Sequence, residues 1–465
     1  MLNSSGTPVD LERGAQEEIG RRARPPHGSI QPWAGGALVT IGLLASLLVA
    51  GVAGAQENAG PRWVTAWGTS QHTIAGPTPT ATQMMTDTTL RILARPTISG
   101  TRIRVRLENR FNDQPVTFDD AFLGAVNRGP MADLFSGSAA NNTLAALTLG
   151  SNTRLTFGGS SSVTIPPGGR VTSDPIDFSV RAQQDLAISL HVPGADVRLP
   201  NHAMALTTSY VAPGNRASEE EFYLDLFSLF RLDGRFPSFN ARINNTPFLT
   251  AIEVSSESPG AIVVLGDSIT DGFCSTPDGH DRFVDVLARR LRNATQGSSP
   301  DAHKAVVNAG INGNTLSGNN GAVQRLDRDV LSLAGVTDVA LFIGTNDIGA
   351  GAMAPQVISG MQQIIARVKE AGVRIFAATI IPRNPDTFFG TIAGFDDAKN
   401  AQRRAVNDWI RQEASLDGVL DFDRVMQEPG NPDQLRREFD CDGIHPNIAG
   451  YFAIGESIDL SLLMR

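Results

Sequence analysis

The sequence predicts an α/β protein of two parts, in which an all-β sandwich precedes a domain built on a parallel sheet. Two patterns carry this prediction. Before residue 255 apolar residues alternate at period two between Gly/Pro turns, whereas after Gly260 apolar strands alternate with amphipathic helices. The chain has 465 residues, of which 41% are hydrophobic, and this is enough for two domains with their own cores. We assign residues 1–55 to a leader, 56–255 to the sandwich and 256–465 to the α/β domain.

The leader has the three parts of a secretory signal. A basic stretch, Arg21–Arg24, precedes an apolar run, Ala37–Val52, which closes on the small residues Ala53–Ala55. This order predicts cleavage before Gln56 and export to the periplasm or the medium, without stable insertion in a membrane. The alternative is a retained N-terminal anchor, because Trp33–Ala55 is long enough to span a bilayer.

The charge of the chain argues against one class of partner. The formal net charge is −9, and apart from Arg21–Arg24 of the leader no cluster of Lys and Arg suggests otherwise. Binding to nucleic acid depends on cations that contact phosphates, so we expect no nucleic-acid partner.

The first part reads as an antiparallel, jelly-roll-like sandwich. Thr101–Leu107 alternates polar and apolar residues, which is typical of a strand with one face in water. Ala217–Phe239 is aromatic-rich and irregular, and we predict a long loop or a short helix there. Further strands are predicted at Arg154–Phe157, Ser162–Ile165, Pro175–Val180 and Asp185–Val192, separated by turns.

The second part alternates strand and helix, which predicts a parallel sheet covered on both faces. The predicted strands are Ala261–Leu265, Ala305–Asn308, Val339–Ile343 and Val373–Ile381. The predicted helices are Asp281–Asn293, Gly321–Ala334, Gln356–Ala371, Ala398–Ala414 and Asn447–Leu463.

A serine at the end of the first of these strands is the candidate nucleophile. The stretch Val263–Thr270 leads from an apolar strand through Gly266 and Asp267 to Ser268. Open α/β sheets bind ligands at the carboxyl ends of their strands, and the N–H groups of the next turn can face a developing negative charge.

A serine hydroxyl needs a base and a group that orients the base. Asp442 and His445 stand three residues apart before the last predicted helix, so one turn can present both side chains. Two loops that follow strands, Asn308–Asn314 and Gly344–Asp347, offer glycine N–H groups and Asn amides as neutral hydrogen-bond donors.

These blocks together resemble one known family, the SGNH or GDSL hydrolases. The matching residues are Gly266–Ser268, Asn308–Gly313, Gly344–Asp347 and the pair Asp442 and His445. The resemblance covers nearly the whole second half of the chain and implies a flavodoxin-like, three-layer α/β/α fold. A sandwich before such a domain is similar to the arrangement in some bacterial carbohydrate acetylesterases.

The resemblance also implies a role for each site residue. Ser268 would be the nucleophile, His445 the general base and Asp442 the group that orients it. The oxyanion donors would be the backbone N–H groups of Ser268 and Gly313 and the side chain of Asn346.

Two further carboxylates and two cysteines border these residues. We expect Asp267 and Asp347 to support the site by accepting loop N–H groups. Because an exported protein can form disulfides, we predict a bridge between Cys274 and Cys441; two buried thiols are the alternative.

We expect neither a metal nor a cofactor. Asp278, His280 and Asp281 lie near the nucleophile in sequence, but no further His/Asp cluster completes a coordination sphere. We interpret His191 and His202 as structural groups.

The sequence therefore predicts a secreted serine esterase for small-molecule or polysaccharide esters, with short-chain or acetyl esters, as on carbohydrate, the first choice. The alternatives are a lipase or lysophospholipase and, from another class, a non-catalytic glycan-binding envelope protein.

Overall fold

A computed structural model describes residues 62–72, 84–127, 146–220, 239, 241–295 and 302–464. The predicted leader lies outside the described residues, as does most of the segment Ala217–Phe239. All of the described residues belong to one compact unit.

The first part is built from two antiparallel sheets, which confirms the predicted sandwich. One sheet has the strand order β1-β17-β4-β10, with β9 also paired to β4, and the other has the order β15-β14-β3-β11-β6-β7. The strands are β1 (Arg62–Gly68), β2 (Met84–Met85), β3 (Thr88–Ala94), β4 (Gly100–Glu108), β5 (Val116–Phe118), β6 (Asp120–Ala125), β7 (Thr153–Arg154), β8 (Val163–Ile165), β9 (Arg170–Thr172), β10 (Ile176–Val180), β11 (Leu186–Val192), β12 (Val197–Arg198), β13 (Asn201–Ala203), β14 (Ser209–Pro213), β15 (Ala241–Ile243), β16 (Asn245–Pro247) and β17 (Leu249–Ser256).

The predicted strand Thr101–Leu107 forms within β4, but the expectation that one of its faces lies in water is wrong for its second half. Thr101 and Arg102 are exposed, whereas Arg106 is only 4% exposed. The reason is that the α/β domain covers this end of the strand, where the Arg106 Nη1 donates to the carbonyl of Ser332 at 3.3 Å. Local alternation could not reveal a partner more than 200 residues away.

The second part is a five-stranded parallel sheet with helices. The sheet has the order β19-β18-β20-β21-β22. Its strands are β18 (Ala261–Gly266), β19 (Ala305–Gly310), β20 (Val336–Phe342), β21 (Arg374–Ala378) and β22 (Gly418–Leu420), and a hairpin follows with β23 (Gln427–Glu428) and β24 (Asn431–Leu435). The helices are α1 (Ser268–Asp271), α2 (Phe283–Ala294), α3 (Ala322–Leu326), α4 (Thr345–Gly349), α5 (Ala354–Glu370), α6 (Asp397–Gln412), α7 (Phe422–Met426), α8 (Ile448–Ser457) and α9 (Leu460–Leu463), with a π-helix at Asp327–Leu331 and 3-10 turns at Thr391–Ala393 and Arg437–Phe439.

The sheet is buried on both faces, as the apolar strands predict. Along β18, Val263 and Leu265 join the apolar cluster that includes residues of α5 and α6, whereas Ile262 and Val264 join the cluster with α2 and α8. Helices therefore cover both faces in a three-layer α/β/α arrangement, as predicted.

One strand was missed by the prediction, and two predicted helices are each divided into two. The strand β22 was not predicted, because three residues give too little pattern to read. The predicted helix Gly321–Ala334 is divided between α3 and the π-helix. The predicted helix Asn447–Leu463 stops at Ser457 and begins again as α9, whose first turn is capped by Asp459 through the N–H of Ser461 at 2.9 Å.

The sandwich covers the edge strand β19. Thr97 lies in the turn between β3 and β4, and its hydroxyl accepts the N–H of Val306 at 3.0 Å. The single hydroxyl proton is shared between the carbonyls of Ala66 at 3.0 Å and Val306 at 3.2 Å. Val64 and Ala66 of β1 are fully buried in the same apolar cluster as Val307 of β19. The two parts consequently share one continuous core.

Because the core is shared, we expect the sandwich and the α/β domain to unfold together. Differential scanning calorimetry of the protein should give a single transition. Thr97→Val leaves two buried backbone groups without their partner, which costs about 1–3 kcal/mol, so this transition should move to lower temperature without splitting. Two separate transitions in the unsubstituted protein would contradict the shared core.

Candidate active site

The candidate nucleophile sits at a very tight turn. β18 ends at Gly266, and a Cβ at this glycine would lie 2.1 Å from the Thr270 Oγ1, so no larger residue fits. The Asp267 Oδ1 then caps α1 by accepting the N–H of Ile269 at 3.0 Å. Ser268 is the first residue of α1 and is 3% exposed.

The structure brings the predicted base and its orienting group to this serine. The Ser268 Oγ lies 2.8 Å from the His445 Nε2, and the His445 Nδ1 lies 2.7 Å from the Asp442 Oδ2. The other oxygen of Asp442 accepts the N–H groups of Ile444 at 2.9 Å and His445 at 2.8 Å. A carboxylate only accepts, so Nδ1 carries the proton and the Nε2 lone pair faces the serine hydroxyl.

The surroundings of Asp442 keep its carboxyl ionised. Burial alone would raise its pKa, but the hydrogen bonds and the charge of His445, with the two backbone N–H groups, lower the pKa below its ordinary value. An ionised carboxylate at this position stabilises an imidazolium, the state that a general base reaches after it has taken a proton.

The first predicted donor loop is held against the nucleophile turn. At Gly310 a Cβ would lie 2.3 Å from the Asp271 nitrogen, so the glycine allows β19 to approach α1 closely. The Asn312 N–H donates to the Asp271 Oδ2 at 3.0 Å, and Gly313 follows with φ of +72°. The backbone N–H groups of Ser268 and Gly313 donate to no group in the part of the chain that the structure describes.

The second donor loop is joined to the first. The Asn346 Nδ2 donates to the carbonyl of Asn314 at 3.0 Å, one residue after Gly313. An amide nitrogen carries two N–H groups, so one remains for a ligand.

The two supporting carboxylates are both buried. Asp347 accepts the N–H of Leu316 through its two oxygens, at 3.1 and 3.2 Å, and burial raises its pKa to about 6. Burial raises the pKa of Asp267 to about 7; the Ile269 N–H opposes the rise, and Asp347 adds to it. Each carboxylate accepts a loop N–H beside a predicted site residue, Asp267 next to Ser268 and Asp347 next to Asn346.

Sequence reasoning missed an arginine next to these carboxylates. Arg383 follows β21, and its guanidinium lies 5.2 Å from the ring centre of Phe395. Burial lowers its pKa, whereas the charges of Asp267 and Asp442 oppose this. Its Nε and Nη1 are buried and have no hydrogen-bond partner among the described residues. No local pattern marked this position, since a single Arg after Pro382 resembles any loop.

The two cysteines form a disulfide beside the site. Cys274 and Cys441 have Cα atoms 6.5 Å apart and close a stretch of 167 residues. In the chain-entropy account a loop of this size stabilises by about 4–5 kcal/mol. The bridge ties the loop after α1 to the loop that carries Asp442. Disulfide sulfurs are not thiolates, so their proximity to Asp442 does not make a metal site.

The residues weighed for a metal site each have a protein partner. Asp278 accepts the N–H and the hydroxyl of Thr208 at 2.7 and 2.6 Å. The His280 Nε2 lies 3.7 Å from the Asp185 Oδ1, and burial lowers the pKa of His280 to about 4. Asp281 accepts a backbone N–H of its own loop at 3.0 Å.

The two histidines interpreted as structural differ in their positions. His191 lies between Asp119 and Asp87, at 2.6 and 3.0 Å, within the sandwich. His202 lies instead at the junction of the two parts, where its Nε2 is 2.8 Å from the Asp271 Oδ1.

A row of three phenylalanines runs outward from the imidazole of His445. The ring of Phe273 lies 4.4 Å from the imidazole, Phe389 lies 6.3 Å from Phe273, and Phe388 lies 5.4 Å from Phe389, between ring centres. Phe388 and Phe389 are 84% and 54% exposed. The Phe388 N–H donates to the carbonyl of Asp442 at 2.9 Å, which holds this aromatic row beside the site.

Comparison with known proteins gives one family match and several similar solved structures. Residues 264–453 match the GDSL-like Lipase/Acylhydrolase family. Among solved structures, the chain is similar to a member of the lipolytic protein G-D-S-L family from Veillonella parvula, at 19% identity over 42% of this chain and 94% of the other, with a TM-score of 0.32. It is also similar to a GDSL-like lipase from Bacteroides thetaiotaomicron, at 18% identity over 43% of this chain and 87% of the other, with a TM-score of 0.33. For LAE5, an alpha/beta hydrolase enzyme from the metagenome of Lake Arreo, Spain, the identity is 23% over 44% and 95%, with a TM-score of 0.34. No match is found among curated proteins.

The parallel sheet with its strand-end serine thus defines an α/β hydrolytic enzyme. Residues 264–453 form a GDSL-like lipase/acylhydrolase domain. Every helix in the described residues is too short or too polar to cross a membrane.

The raised pKa of Asp267 predicts how stability depends on pH. Its folded pKa of about 7 exceeds the ordinary 3.8, so the native state binds more protons than the unfolded state between about pH 4 and 7, and stability falls as pH rises through that range. Asp267→Asn keeps the oxygen that caps α1 but never ionises. We expect its free energy of unfolding to exceed that of the parent by more at about pH 8 than at about pH 4, as measured by urea denaturation. If the difference in the free energy of unfolding between Asp267→Asn and the parent is the same at both pH values, ionisation of Asp267 does not destabilise the fold.

Proposed function

We propose that the protein hydrolyses carboxylic esters through a serine-bound acyl intermediate. The observation that carries this proposal is the hydrogen-bonded chain from the Ser268 hydroxyl through His445 to Asp442, with distances of 2.8 and 2.7 Å. A serine that is hydrogen-bonded to a correctly oriented imidazole is an activated nucleophile.

In the acylation step, the Ser268 Oγ attacks the ester carbonyl and its proton passes to the His445 Nε2. Asp442 holds the imidazole through Nδ1 and stabilises its positive charge. The imidazolium then gives the proton to the leaving alkoxide, and an acyl-serine remains.

In the deacylation step, water replaces the alcohol. His445 takes a proton from this water as it attacks the acyl carbonyl, and then returns the proton to the Ser268 Oγ. The free acid leaves and the site is restored.

We propose that three hydrogen-bond donors stabilise the oxyanion of each tetrahedral intermediate. They are the backbone N–H groups of Ser268 and Gly313 and the side-chain amide of Asn346. Neither of the two backbone N–H groups has a partner among the described residues, and the Asn346 amide has one N–H to spare. Neutral, fixed donors stabilise the oxyanion more than the ground-state carbonyl, which accelerates the reaction.

Ser268→Ala removes the attacking oxygen, so we expect it to abolish labelling by a fluorophosphonate and nearly all turnover of 4-nitrophenyl acetate. Asn346→Ala should still be labelled, but its kcat should fall on the order of 100- to 1000-fold, the usual effect of losing one oxyanion donor. Parent-like turnover in Ser268→Ala would refute the mechanism. A parent protein that does not react with the probe would favour the non-catalytic glycan-binding alternative.

We propose that the enzyme acts outside the cytoplasm. The secretory pattern of residues 1–55 supports this, as does the disulfide between Cys274 and Cys441, because disulfides persist in oxidising compartments.

For the substrate we propose short-chain or acetyl esters whose alcohol part has an apolar face, such as an aryl ring or the C–H face of a sugar. The leaving oxygen must come close to the His445 Nε2, and the aromatic row begins 4.4 Å from that imidazole. Stacking on exposed rings is available to both kinds of alcohol. A lipase-type preference for long acyl chains is the alternative.

Phe389→Ala shortens the aromatic row without touching the reacting groups. We expect kcat/KM to fall about 2- to 10-fold for phenyl acetate and to change little for ethyl acetate, since one aromatic contact contributes about 0.5–1.5 kcal/mol. Phe452→Ala, which removes another exposed ring on α8, is the matched control. Equal losses with both acetates, or a loss that grows with acyl length at constant alcohol, would show that the row does not bind the leaving group.

A further inference from the structure

One segment of the sandwich lies directly against the nucleophile turn. In this docking segment, residues 201–208, the His202 Nε2 lies 2.8 Å from the Asp271 Oδ1. The Met204 sulfur accepts the Asn312 side-chain amide at 3.1 Å. The segment therefore contacts both α1 and the first donor loop.

The hydrogen bonds of His202 fix its protonation state. Its Nδ1 lies 2.8 Å from the carbonyl of Ser70, which can only accept, so Nδ1 carries a proton. Toward Asp271, either an Nε2–H donates to the carboxylate or a carboxylic acid donates to Nε2, and the raised pKa of His202, to which the charge of Asp271 contributes, favours the first. His202 and Asp271 are 3% and 4% exposed, and the pair is thus a buried imidazolium and carboxylate.

Two other cations interact with the charge of Asp271, Arg282 and Arg325, but among the described residues their hydrogen bonds go to other groups, including Asp285 and Asp329. Burial disfavours the charged imidazole, but the charge and the hydrogen bond of Asp271 outweigh it and raise the pKa of His202, with Arg282 opposing. The ring of His72 stands edge-on to His202 at 5.5 Å. Removal of one member of such a pair leaves the other charge buried without its partner, which is far more costly than the pair itself.

Asp271 connects this histidine to the proposed oxyanion donors. It is the last residue of α1, which begins at Ser268, and its second oxygen accepts the Asn312 N–H at 3.0 Å. Asn312 immediately precedes Gly313. One carboxylate therefore joins the helix of the nucleophile to the loop of the second donor.

We propose that His202 is a positioning residue for the esterase site, through which the sandwich fixes the relative placement of the Ser268 and Gly313 N–H groups. The inference rests on the proposed function. It gives the sandwich a part in the reaction, although none of its described residues hydrogen-bonds Ser268 or His445. Because transition-state stabilisation is sensitive to shifts of about 1 Å in the donors, the loss of this contact should lower kcat more than it raises KM.

Three substitutions separate the two hydrogen bonds of His202. His202→Gln keeps a donor toward Asp271, His202→Asn keeps a donor only toward Ser70, and His202→Phe keeps neither.

Each variant is labelled to completion with a fluorophosphonate, which counts competent serines, and kcat for 4-nitrophenyl acetate is expressed per labelled serine. We expect His202→Gln to stay within about 3-fold of the parent, and His202→Asn and His202→Phe to fall about 10- to 100-fold, with KM within about 3-fold. Their labelling rates should fall in parallel.

Thr208→Val is the matched control, because Thr208 lies in the same docking segment but bonds Asp278 instead of Asp271. It should lower the melting temperature while kcat per labelled serine stays unchanged. If His202→Phe does not fold, the kcat per labelled serine of His202→Asn tests the proposal. Parent-like kcat per labelled serine in the His202 variants, or an equal loss in Thr208→Val, would overturn the positioning role. A parent protein that fails to react with the probe would instead refute the proposed function itself.

Discussion

The open edge of the parallel sheet is the constraint on which the rest of the structure depends. β19 is an edge strand, and an uncovered edge presents unpaired N–H and C=O groups. Here one hydroxyl, that of Thr97, bonds both the N–H and the carbonyl of Val306, while β1 buries the apolar residues beside it. The sandwich is thereby fixed against the strand that ends in the first donor loop. The sandwich lies next to the candidate site because it covers the edge strand β19.

The same junction explains why polar residues of the sandwich are buried. Arg106 and His202 would be surface residues of an isolated sandwich, but both face the α/β domain and are nearly inaccessible. Each has polar partners across the junction, Ser332 for Arg106 and Asp271 for His202. Buried polar groups that are satisfied in this way specify one relative placement, since a shift would leave them without partners.

Around the candidate nucleophile, several ionisable groups are held in costly states. Asp267 and Asp347 have pKa values raised by burial. The charge of Arg383 interacts with those of Asp267 and Asp442, and two of its buried nitrogens have no hydrogen-bond acceptor among the described residues. Groups of this kind lower the stability of a fold, and they persist only where the surrounding structure holds them in place. The disulfide between Cys274 and Cys441 supplies such a restraint at one side of the site, and the fit of Gly310 against α1 supplies it at the other.

The sequence alone determined the fold class and the residues that meet at the site. The local pattern of apolar residues was enough to predict β18 and the long helices. A strand that is buried on both faces is apolar throughout, and a helix that is buried on one face has an apolar stripe. Ser268, Asp442 and His445 were recognisable because strand ends and short spacings restrict where side chains can go. Tertiary structure alone decided that half of β4 is covered, that His202 bonds Asp271 and that Arg383 is buried. It also decided that Phe389 and Phe388 continue the aromatic row that Phe273 begins at His445. The physical reason is that each of these contacts joins residues far apart in the chain, and local propensity carries no information about the partner.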